Sequence, residues 1–297
     1  MRVAITGASG LIGSALVTHL RDHGHEVLRL VRRVAAGPDE VRWVPDEGYV
    51  DRDRLDGVDA IVHLAGAGVG DRRWTESYKA TIYDSRVNGT LAIARAAAAL
   101  EHRPGVLVSA SAIGYYGDTG DREVDESDPA GSGFLSDVVR DWEAAADPAR
   151  EAGIRVVHPR SGLVVAGHGG AWARLWPLFR LGVGGRLGSG RQWWSYISLR
   201  DEVRALTHLL AFDVAGPVNL TAPQAATNAE VTDAMGRLLH RPTVLPVPAK
   251  ALELALGEFS SEILHSARVL PTRLQESGFQ FEDPTIDRAL AWAWSQR

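Results

Sequence analysis

The chain has no cysteine among its 297 residues, so disulfides, thiolate nucleophiles and cysteine-ligated metal sites are excluded. It also has no apolar run approaching the roughly 18 uninterrupted residues of a membrane span. The first apolar run breaks at Gly7, so we expect no signal or transit peptide. The net charge of -5 carries no long-range signature for nucleic acid or for an anionic membrane. We therefore expect a cytoplasmic protein whose partners are small molecules.

The sequence also lacks the motifs of metal sites and of the common enzyme nucleophiles. The ten histidines show no HExxH or other paired metal spacing, and without cysteine a zinc site is not expected. No GxSxG nucleophile elbow and no Walker loop occurs, so the hydrolase and kinase classes fall away. His63 lies inside an apolar run and is expected to be a buried core residue rather than a base.

What the sequence does contain is an alternation of short apolar runs with amphipathic stretches. The runs predict strands at residues 3–6, 27–31, 60–65, 106–109, 156–157 and 218–220, and helix-spaced apolar residues predict helices at 11–23 and 89–100. This order is typical of a parallel sheet covered on both faces. We predict the α/β class, with a Rossmann-type doubly wound parallel sheet and a smaller, mainly helical C-terminal lobe.

The composition changes after residue 168, where glycine, arginine and tryptophan are frequent and the apolar residues show little regular spacing. We predict a Rossmann domain over residues 1–168, with residues 197–222 returning to it, and a small substrate-side lobe built from residues 169–196 and 223–297. Ser198 with Asp201, and Thr227 with Glu230, have the spacing of a capping box, so a helix is predicted to start at each.

Three glycines, Gly7, Gly10 and Gly13, follow the first predicted strand and open the first predicted helix. In that context the first glycine permits a sharp turn, the second lets a pyrophosphate approach the backbone, and the third lets helix and strand pack closely. The anion then meets the N–H groups at the positive end of the helix dipole. The spacing is GxxGxxG rather than GxGxxG, but the surrounding strand and helix support dinucleotide binding.

The second predicted strand ends at Arg32 and Arg33, about 20 residues past the loop, where a dinucleotide fold meets the adenosine ribose. An acid there binds the free 2′-hydroxyl, whereas a guanidinium holds a 2′-phosphate by paired charge-assisted bonds. No carboxylate stands in this position, so NADP(H) is favoured over NAD(H). The alternative is that one of the two arginines is only a solvated strand end.

Several segments resemble the extended branch of the short-chain dehydrogenase/reductase superfamily, in that family's order. They are "TGASGLIG", "DAIVHLAGAG", "SRVNGT", "VSASAIGYYGD" and "IRVVHPRSGLVV". Three further segments resemble its atypical epimerase-like group, the NAD-dependent epimerase/dehydratase family of oxidoreductases with a small C-terminal domain of unknown function. These are "RRWTESYKATIYDSRVNGT", "GSGRQWWSYISLRDEV" and "ALGEFSSEILHSARVLPTRLQESGFQFEDPTIDRAL".

The resemblance implies an NADP-binding Rossmann domain and a smaller lobe that closes over the substrate. Carried over by position, the cofactor residues are Gly7, Ser9, Gly10, Leu11, Ile12 and Gly13 at the pyrophosphate, Arg32 and Arg33 at the adenosine end, Leu64, Ala65 and Gly66 at the adenine and ribose side, and Ser109 with Ser111 at the nicotinamide. Arg86 joins this set in "RVNGT", where the family usually has asparagine.

The chain departs from the family at the proton relay. The family uses a tyrosine with a lysine four residues later, but the alignment that matches Glu143 puts Leu135 and Val139 in those positions. The candidate replacements are Tyr115 and Tyr116, with Ser111 as hydrogen-bond partner and an arginine, Arg86 or Arg160, as the cation. The alternative is that both tyrosines only pack at the end of a strand.

On the substrate side, Arg191 and Trp193 are candidates to hold an anionic group and to stack on a flat or sugar-like ring, although a tryptophan there also fits a lobe anchor. We expect an NADP-dependent oxidoreductase or epimerase-like enzyme for a small carbonyl, hydroxyl or nucleotide-sugar-like substrate. The alternative is a non-catalytic NADP(H)-binding sensor. A homodimer is left open.

Overall fold

A computed structural model describes residues 1–297. Its strands are β1 (Arg2–Thr6), β2 (Glu26–Val31), β3 (Glu40–Val44), β4 (Tyr49–Val50), β5 (Ala60–His63), β6 (Val106–Ser109), β7 (Ser111–Ala112), β8 (Glu123–Val124), β9 (Arg155–Ser161), β10 (Leu163–Val165), β11 (Trp193–Trp194), β12 (Tyr196–Ser198), β13 (Gly216–Leu220), β14 (Ala226–Thr227) and β15 (Arg268–Val269). Its helices are α1 (Leu11–Asp22), α2 (Arg52–Leu55), α3 (Glu76–Ala98), α4 (Phe134–Ala144), α5 (Asp147–Glu151), α6 (Trp172–Arg180), α7 (Leu199–Ala211), α8 (Asn228–Leu239), α9 (Ala249–Leu256), α10 (Ser260–Leu264), α11 (Thr272–Glu276) and α12 (Ile286–Ser295). None of these helices combines the length and apolar character needed to cross a membrane.

The centre of the molecule is a nine-stranded sheet in the order β13-β9-β6-β5-β1-β2-β3-β4, with β7 paired to β9. All its pairings are parallel except that between β3 and β4. The chain order reverses between β1 and β5, where Thr6 lies beside His63. A ligand crevice is expected outside the carboxyl ends of the strands at such a switch point. The predicted fold class is confirmed.

Helices cover both faces of this sheet. On one face, Leu16 and Leu20 of α1 share a buried cluster with Leu206 and Leu209 of α7. On the other, alanines and Ile93 of α3 pack with α5 in a second cluster. Helix α1 ends just before Gly24, as its sequence predicts. The two faces together enclose strands that are apolar throughout, which is why those runs do not alternate.

A third buried cluster joins α6, α8 and α12 and includes the fully enclosed Trp172 and Trp176. Residues 197–222 supply α7 and β13, which pack on the large sheet. The C-terminal segment is shared between cores, because β15 pairs with β8 while Leu274 and Phe279 join the cluster around α1. Part of residues 223–297 therefore stabilises the large sheet rather than the smaller lobe.

Several element bounds differ from the predicted ones, and in three elements the structure shows the reason. Helix α3 begins at Glu76 rather than at residue 89, since Thr75 caps it and its first turns pack in a separate apolar cluster. Strand β5 ends at His63, because the next two backbone N–H groups bond to a side chain instead of a strand. Strand β9 runs through polar residues and Pro159 to Ser161, well beyond its apolar core of residues 156–157.

Both predicted capping positions start helices. Thr227 and Glu230 form the complete box, each side chain bonding to the other's backbone N–H. Ser198 caps α7 by accepting from the Asp201 N–H, but the Asp201 carboxylate accepts from the backbone of residues 282 and 283 instead. The prediction of two helix starts is confirmed. In the box at Ser198, the Asp201 carboxylate does not bond to the N-cap backbone and instead binds the C-terminal segment.

The first turn of α7 also contains a buried acid, which makes stability depend on pH. Glu202 is 1% exposed, accepts a bond from Ser161 at 2.6 Å through Oε1, and has no partner for Oε2. Burial raises its pKa from 4.5 to about 7. Because the folded state has the higher pKa, stability is full below pH 4.5 and is lost as pH rises toward 7.

We predict that Glu202→Gln removes this dependence. The wild-type free energy of unfolding should fall by about 2 kcal/mol between pH 5 and pH 8 from this group, and that fall should vanish in the variant. Urea unfolding at four pH values measures it, with the exposed Glu101→Gln as control. If the free energy of unfolding changed equally with pH in wild type and in Glu202→Gln, Glu202 would not be the source of the pH dependence.

Candidate functional site

The turn between β1 and α1 brings backbone unusually close to backbone. Gly7 has φ +67°, a left-handed conformation that favours glycine, and its carbonyl accepts from the Gly10 N–H at 2.9 Å. A Cβ on Gly13 would overlap the Gly7 carbonyl oxygen. The first and third glycines are thus required by the turn and by helix-strand contact, in the roles that the sequence predicted for them.

The start of α1 is open to an anion. Gly10 is the N-cap, no side chain caps the helix, and its first turn has no acidic residue. The N–H groups at Leu11 and Ile12 therefore begin the helix beside the glycine turn with the positive end of the dipole uncompensated. These residues fit a diphosphate, and Ser9 is exposed on the same turn. The Leu11 side chain itself packs toward the loop at residues 169–170.

The two arginines after β2 have different surroundings. Arg33 binds the buried carboxylate of Glu40 through two bonds of 2.6 Å, and Arg29 contacts the same carboxylate at 3.1 Å. The bonds from Arg33, the bond from the Ala36 N–H and the charge of Arg29 together lower the pKa of Glu40 to about 2. Arg32 is exposed and makes no hydrogen bond or ion pair within the chain. Of the two arginines after β2, Arg32 can therefore bind a phosphate without first breaking an ion pair.

The loop after β5 is held by the hydroxyl of Thr6. Its Oγ1 accepts from the N–H groups of Leu64 and Ala65 at 3.0 and 3.2 Å and lies 2.7 Å from Nδ1 of His63. Burial lowers the pKa of His63 to about 4, so this ring is neutral and structural, as expected. The loop is thereby fixed beside the glycine turn, with Gly66 packed against the side chain of Arg86.

Past the carboxyl end of β6, a hydrogen-bonded network joins four elements. Ser111 donates to Oε1 of Glu143 at 2.6 Å, and Arg160 grips both oxygens of that carboxylate at 2.8 Å. Burial alone would raise the pKa of Glu143, but the bonds from Arg160 outweigh it and hold the pKa below its ordinary value. Arg160 also donates to the Tyr116 hydroxyl at 3.0 Å, which donates to Asn219. Glu143 is therefore ionised, and the Ser111 proton is committed to it.

The two tyrosines occupy different environments. Tyr116 is buried, its hydroxyl is fully engaged, and burial raises its pKa to about 12. Tyr115 is partly exposed, and its ring lies over the Arg160 guanidinium, 3.4 Å from Cζ to the ring centre. The Tyr115 hydroxyl has no hydrogen-bond partner in the chain. Of the pair, Tyr115 has the hydroxyl available to a ligand.

The positions aligned with the family's tyrosine and lysine are apolar. Leu135 packs near Gly114 and the cluster around Trp74, and Val139 is buried in α4. Neither lysine takes over, since Lys79 pairs with Glu258 and Lys250 is exposed on α9.

Two serines expected at the nicotinamide end differ sharply. Ser111 belongs to the Glu143 network, whereas Ser109 is fully buried and its Oγ, closed off from solvent, has no partner. Ser109 is the last residue of β6, and its hydroxyl lies inside the protein. The nicotinamide contact of Ser109 stays a prediction.

The structure does not bring the two substrate-side candidates into the network. Arg191 is exposed, and no hydrogen bond or ion pair engages its side chain. Trp193 donates to Asp121 at 3.1 Å and lies under the guanidinium of Arg268, 4.4 Å from Cζ to the ring centre. Its backbone carbonyl bonds to Ala267, which packs beside the tyrosines. Trp193 thus has structural partners, while Arg191 has none.

Two members of this network are not among the site residues predicted from the sequence. Glu143 served only to align the helix, and Asn219 was one residue of an apolar strand. The signal for Glu143 was present, because an acid on the buried face of α4 needs a cation, and Arg160 was already a candidate. Asn219 could not be found in this way, because its partner is 103 residues away.

The comparisons with known proteins agree with this architecture. The sequence model of the "NAD dependent epimerase/dehydratase family" matches residues 3–221, and a domain of unknown function (DUF1731) matches residues 247–293. The chain belongs to the NAD dependent epimerase/dehydratase family. Epimerase family protein Mb2239 of Mycobacterium bovis is 48% identical over 98% of this chain and 97% of that protein. Mouse epimerase family protein SDR39U1 is 36% identical, covering 98% of each.

Solved structures of family members are also similar. The human epimerase family protein SDR39U1, crystallised with NADPH, has a TM-score of 0.90 and 33% identity over 99% of both chains. A nucleoside-diphosphate sugar epimerase from Corynebacterium glutamicum has a TM-score of 0.81 and 34% identity, covering 99% of this chain and 58% of that one. The predicted resemblance to an epimerase-like family with a small C-terminal domain is confirmed.

The glycine turn gives a test of the site's scaffold. Gly13→Ala should lower the free energy of unfolding by about 3 kcal/mol, because the new Cβ must displace the Gly7 carbonyl. Thermal unfolding measures the loss. Gly105→Ala is the matched control, since its Cβ would come no closer than 3.8 Å to another group. A Gly13→Ala protein as stable as that control would show that the turn is not tightly packed.

Proposed function

We propose that this protein is an NADPH-dependent oxidoreductase or epimerase-like enzyme acting on a small carbonyl, hydroxyl or nucleotide-sugar-like substrate. The observation that carries the proposal is the partly exposed Tyr115, whose hydroxyl has no partner and whose ring is held on Arg160 beside the Ser111–Glu143 pair. A free phenol at the carboxyl end of the sheet is a group that can exchange a proton with a ligand. The family membership supports the class of reaction.

The cofactor would be held by the glycine turn and by the arginine that has no partner. The uncapped start of α1 fits the diphosphate, Arg32 fits the 2′-phosphate, and the loop at Leu64, Ala65 and Gly66 forms the adjacent wall. NADPH in the human relative's crystal structure supports this choice. When bound, the cofactor supplies hydride exchange at its nicotinamide ring.

A pair of arginine variants tests the cofactor preference. Arg32→Ala should weaken NADPH binding about tenfold or more while leaving NADH binding nearly unchanged, because only NADPH has the extra phosphate. Isothermal titration of both nucleotides gives the ratio. Arg33→Ala should instead lower stability, since it leaves the buried Glu40 with Arg29 as its only cation. If Arg32→Ala lost affinity equally for NADPH and NADH, the proposed contact between Arg32 and the 2′-phosphate would be contradicted.

The hydrogen-bond roles around the substrate follow from the charge on Glu143. Because Ser111 donates its proton to that carboxylate, its oxygen offers only lone pairs and can accept from a substrate hydroxyl. Tyr115 can give its phenol proton to a carbonyl oxygen, and its oxygen can accept a hydrogen bond from a substrate hydroxyl. In this proposal Ser111 orients a substrate hydroxyl and Tyr115 transfers the proton. Arg160 positions both, since it contacts the Tyr115 ring and Glu143.

A second candidate function is a non-catalytic NADP(H)-binding sensor, in which cofactor occupancy changes the conformation that a partner binds. The specific observation in its favour is that Leu135 and Val139 occupy the positions of the family's tyrosine and lysine. Neither lysine of the chain replaces the missing cation. The two candidate functions differ in whether a bound cofactor is consumed.

Two phenylalanine variants separate these functions. NADPH consumption is measured against a panel of quinones, aldehydes and nucleotide sugars. Tyr115→Phe should lower turnover about 100-fold without changing stability, because its hydroxyl bonds to nothing in the chain. Tyr116→Phe should lower stability by about 1–2 kcal/mol and keep turnover, because it loses buried hydrogen bonds. Tight NADPH binding without turnover on any member of the panel would favour the sensor.

A further inference from the structure

Two segments in the second half of the chain contain no acidic residue. The chain has 37 aspartates and glutamates among 297 residues, yet none lies between Glu151 and Asp201 and none lies between Asp233 and Glu253. Both segments contain arginines. The net charge of -5 therefore describes the chain as a whole, while positive charge is concentrated in these two segments.

The fold brings parts of the two segments together beyond the ends of α6 and α8. Nε of Arg241 donates to the carbonyl oxygen of Arg180 at 3.0 Å. A few residues further on, the Val247 N–H donates to the carbonyl oxygen of Arg186 at 2.8 Å. The loop that follows α6 and the loop that follows α8 therefore run side by side and form one surface.

This surface exposes large apolar side chains to water. Ten large apolar side chains are exposed in the whole chain, and five of them lie on these two loops and on the last turn of α6. We call these five the apolar tip, and its members are Leu178, Leu181, Val183, Val244 and Leu245. Leu181 is 76% exposed and Val244 is 81% exposed. Because apolar surface in water is unfavourable, a cluster of this kind indicates an interaction site.

The cations beside the apolar tip have no counter-ions. Arg180, Arg186 and Arg241 are exposed, and none of them has a carboxylate within ion-pair distance. The nearby Arg237 of α8, in contrast, pairs with Asp287 at 2.7 Å. The tip thus combines apolar side chains with unbalanced positive charge, so a complementary partner combines apolar groups with negative charge.

The shape of the apolar tip favours a lipid surface over a protein partner. The recess beside the second loop, of about 490 Å³, is bordered by Arg237, Arg241 and Thr243, and no large apolar side chain lines it. The apolar side chains project into solvent instead of forming a groove that a partner's side chains could fill. A hydrocarbon layer needs no such groove, and apolar residues flanked by arginines match the boundary between acyl chains and anionic headgroups.

A second copy of this chain is a poorer partner for the same surface. In a symmetric dimer one surface meets itself, so the three arginines would face the same three arginines of the other copy. Like charges with no acid between them oppose such an interface. A membrane that contains anionic lipids has the opposite charge and places it next to an apolar layer.

We propose that the apolar tip docks on the surface of a membrane that contains anionic lipids. The five apolar side chains enter the layer between the headgroups and the acyl chains, and Arg180, Arg186 and Arg241 bind the headgroup phosphates. The tip shares no residue with the glycine turn or with the network around the two tyrosines. The inference therefore does not depend on the proposed function.

The test is cosedimentation of the full chain with lipid vesicles. One set of vesicles is phosphatidylcholine alone, and the other is phosphatidylcholine and phosphatidylglycerol in equal parts. Wild type should bind the anionic vesicles about tenfold or more tightly than the neutral ones, because only the anionic vesicles attract the three arginines. Binding to the anionic vesicles should weaken as salt is raised, because salt screens this attraction.

Variants of the apolar tip separate its two contributions. Leu181→Ser combined with Val244→Ser should weaken binding to the anionic vesicles about tenfold or more, because two inserted side chains are lost. Arg180→Gln combined with Arg186→Gln should weaken it about 25-fold, or about fivefold for each charge. Arg180→Lys combined with Arg186→Lys should keep most of the affinity, since the headgroup layer attracts charge rather than paired donors.

Two matched controls make the same substitutions on other surfaces. Val34→Ser changes a valine that is 73% exposed after β2, and Arg95→Gln changes an exposed arginine of α3 that has no ion pair. Both controls should bind the anionic vesicles as wild type does. All the substituted side chains are exposed, so thermal unfolding should give the same Tm for every variant and confirm that each is folded.

Three outcomes would overturn the proposal. The first is a wild-type protein that does not bind the anionic vesicles, which would leave an acidic protein as the partner class for the tip. The second is binding that the tip variants leave unchanged or that the controls lose equally, since another surface would then carry it. The third is a wild-type dimer that becomes monomeric in the Leu181→Ser, Val244→Ser variant by sedimentation velocity, because the tip would then be an interface between copies.

Discussion

The ion pair between Arg160 and Glu143 is the contact on which the candidate catalytic region depends. It joins β9 to α4 across a largely buried space, and breaking such a pair by removing one partner costs about 3–5 kcal/mol. The same two residues fix the Ser111 proton, support the Tyr115 ring and anchor the Tyr116 hydroxyl. The region therefore responds as a unit, and the effects of substitutions within it will not add.

The chain uses arginine almost to the exclusion of lysine, and two groups of its arginines have contrasting surroundings. One group holds buried acids: Arg33 with Glu40, Arg160 with Glu143 and Arg200 with Asp283. The other has no carboxylate partner and lies at the carboxyl end of the sheet, as Arg32 and Arg86 do. Because a guanidinium keeps its charge when buried, it can serve in both groups. Positive charge is left unbalanced where an anionic ligand would be bound.

The sequence predicted the parts of this molecule that are set by local rules. The glycine turn, the apolar strands of the sheet and the starts of α7 and α8 depend on neighbouring residues, and they are where the patterns placed them. Features set by distant contacts were missed. The length of β9 beyond its apolar core depends on its pairing with β13 and β7. The difference between Arg32 and Arg33 depends on Glu40, which the sequence does not connect to either.

The loss of the family's tyrosine and lysine from α4 has a chemical consequence. With apolar residues in those places, Glu143 near the C-terminal end of that helix is the residue that bonds to Ser111 and Arg160. An ionised carboxylate there turns Ser111 into an acceptor, whereas a serine without such a partner could donate to a carbonyl. Under the roles proposed for Ser111 and Tyr115, a substrate carbonyl would have Tyr115 as its proton source, and a substrate hydroxyl would be bound by both residues. Those roles would match the hydroxyl form of a substrate better than its carbonyl form, because the hydroxyl satisfies two groups and the carbonyl only one.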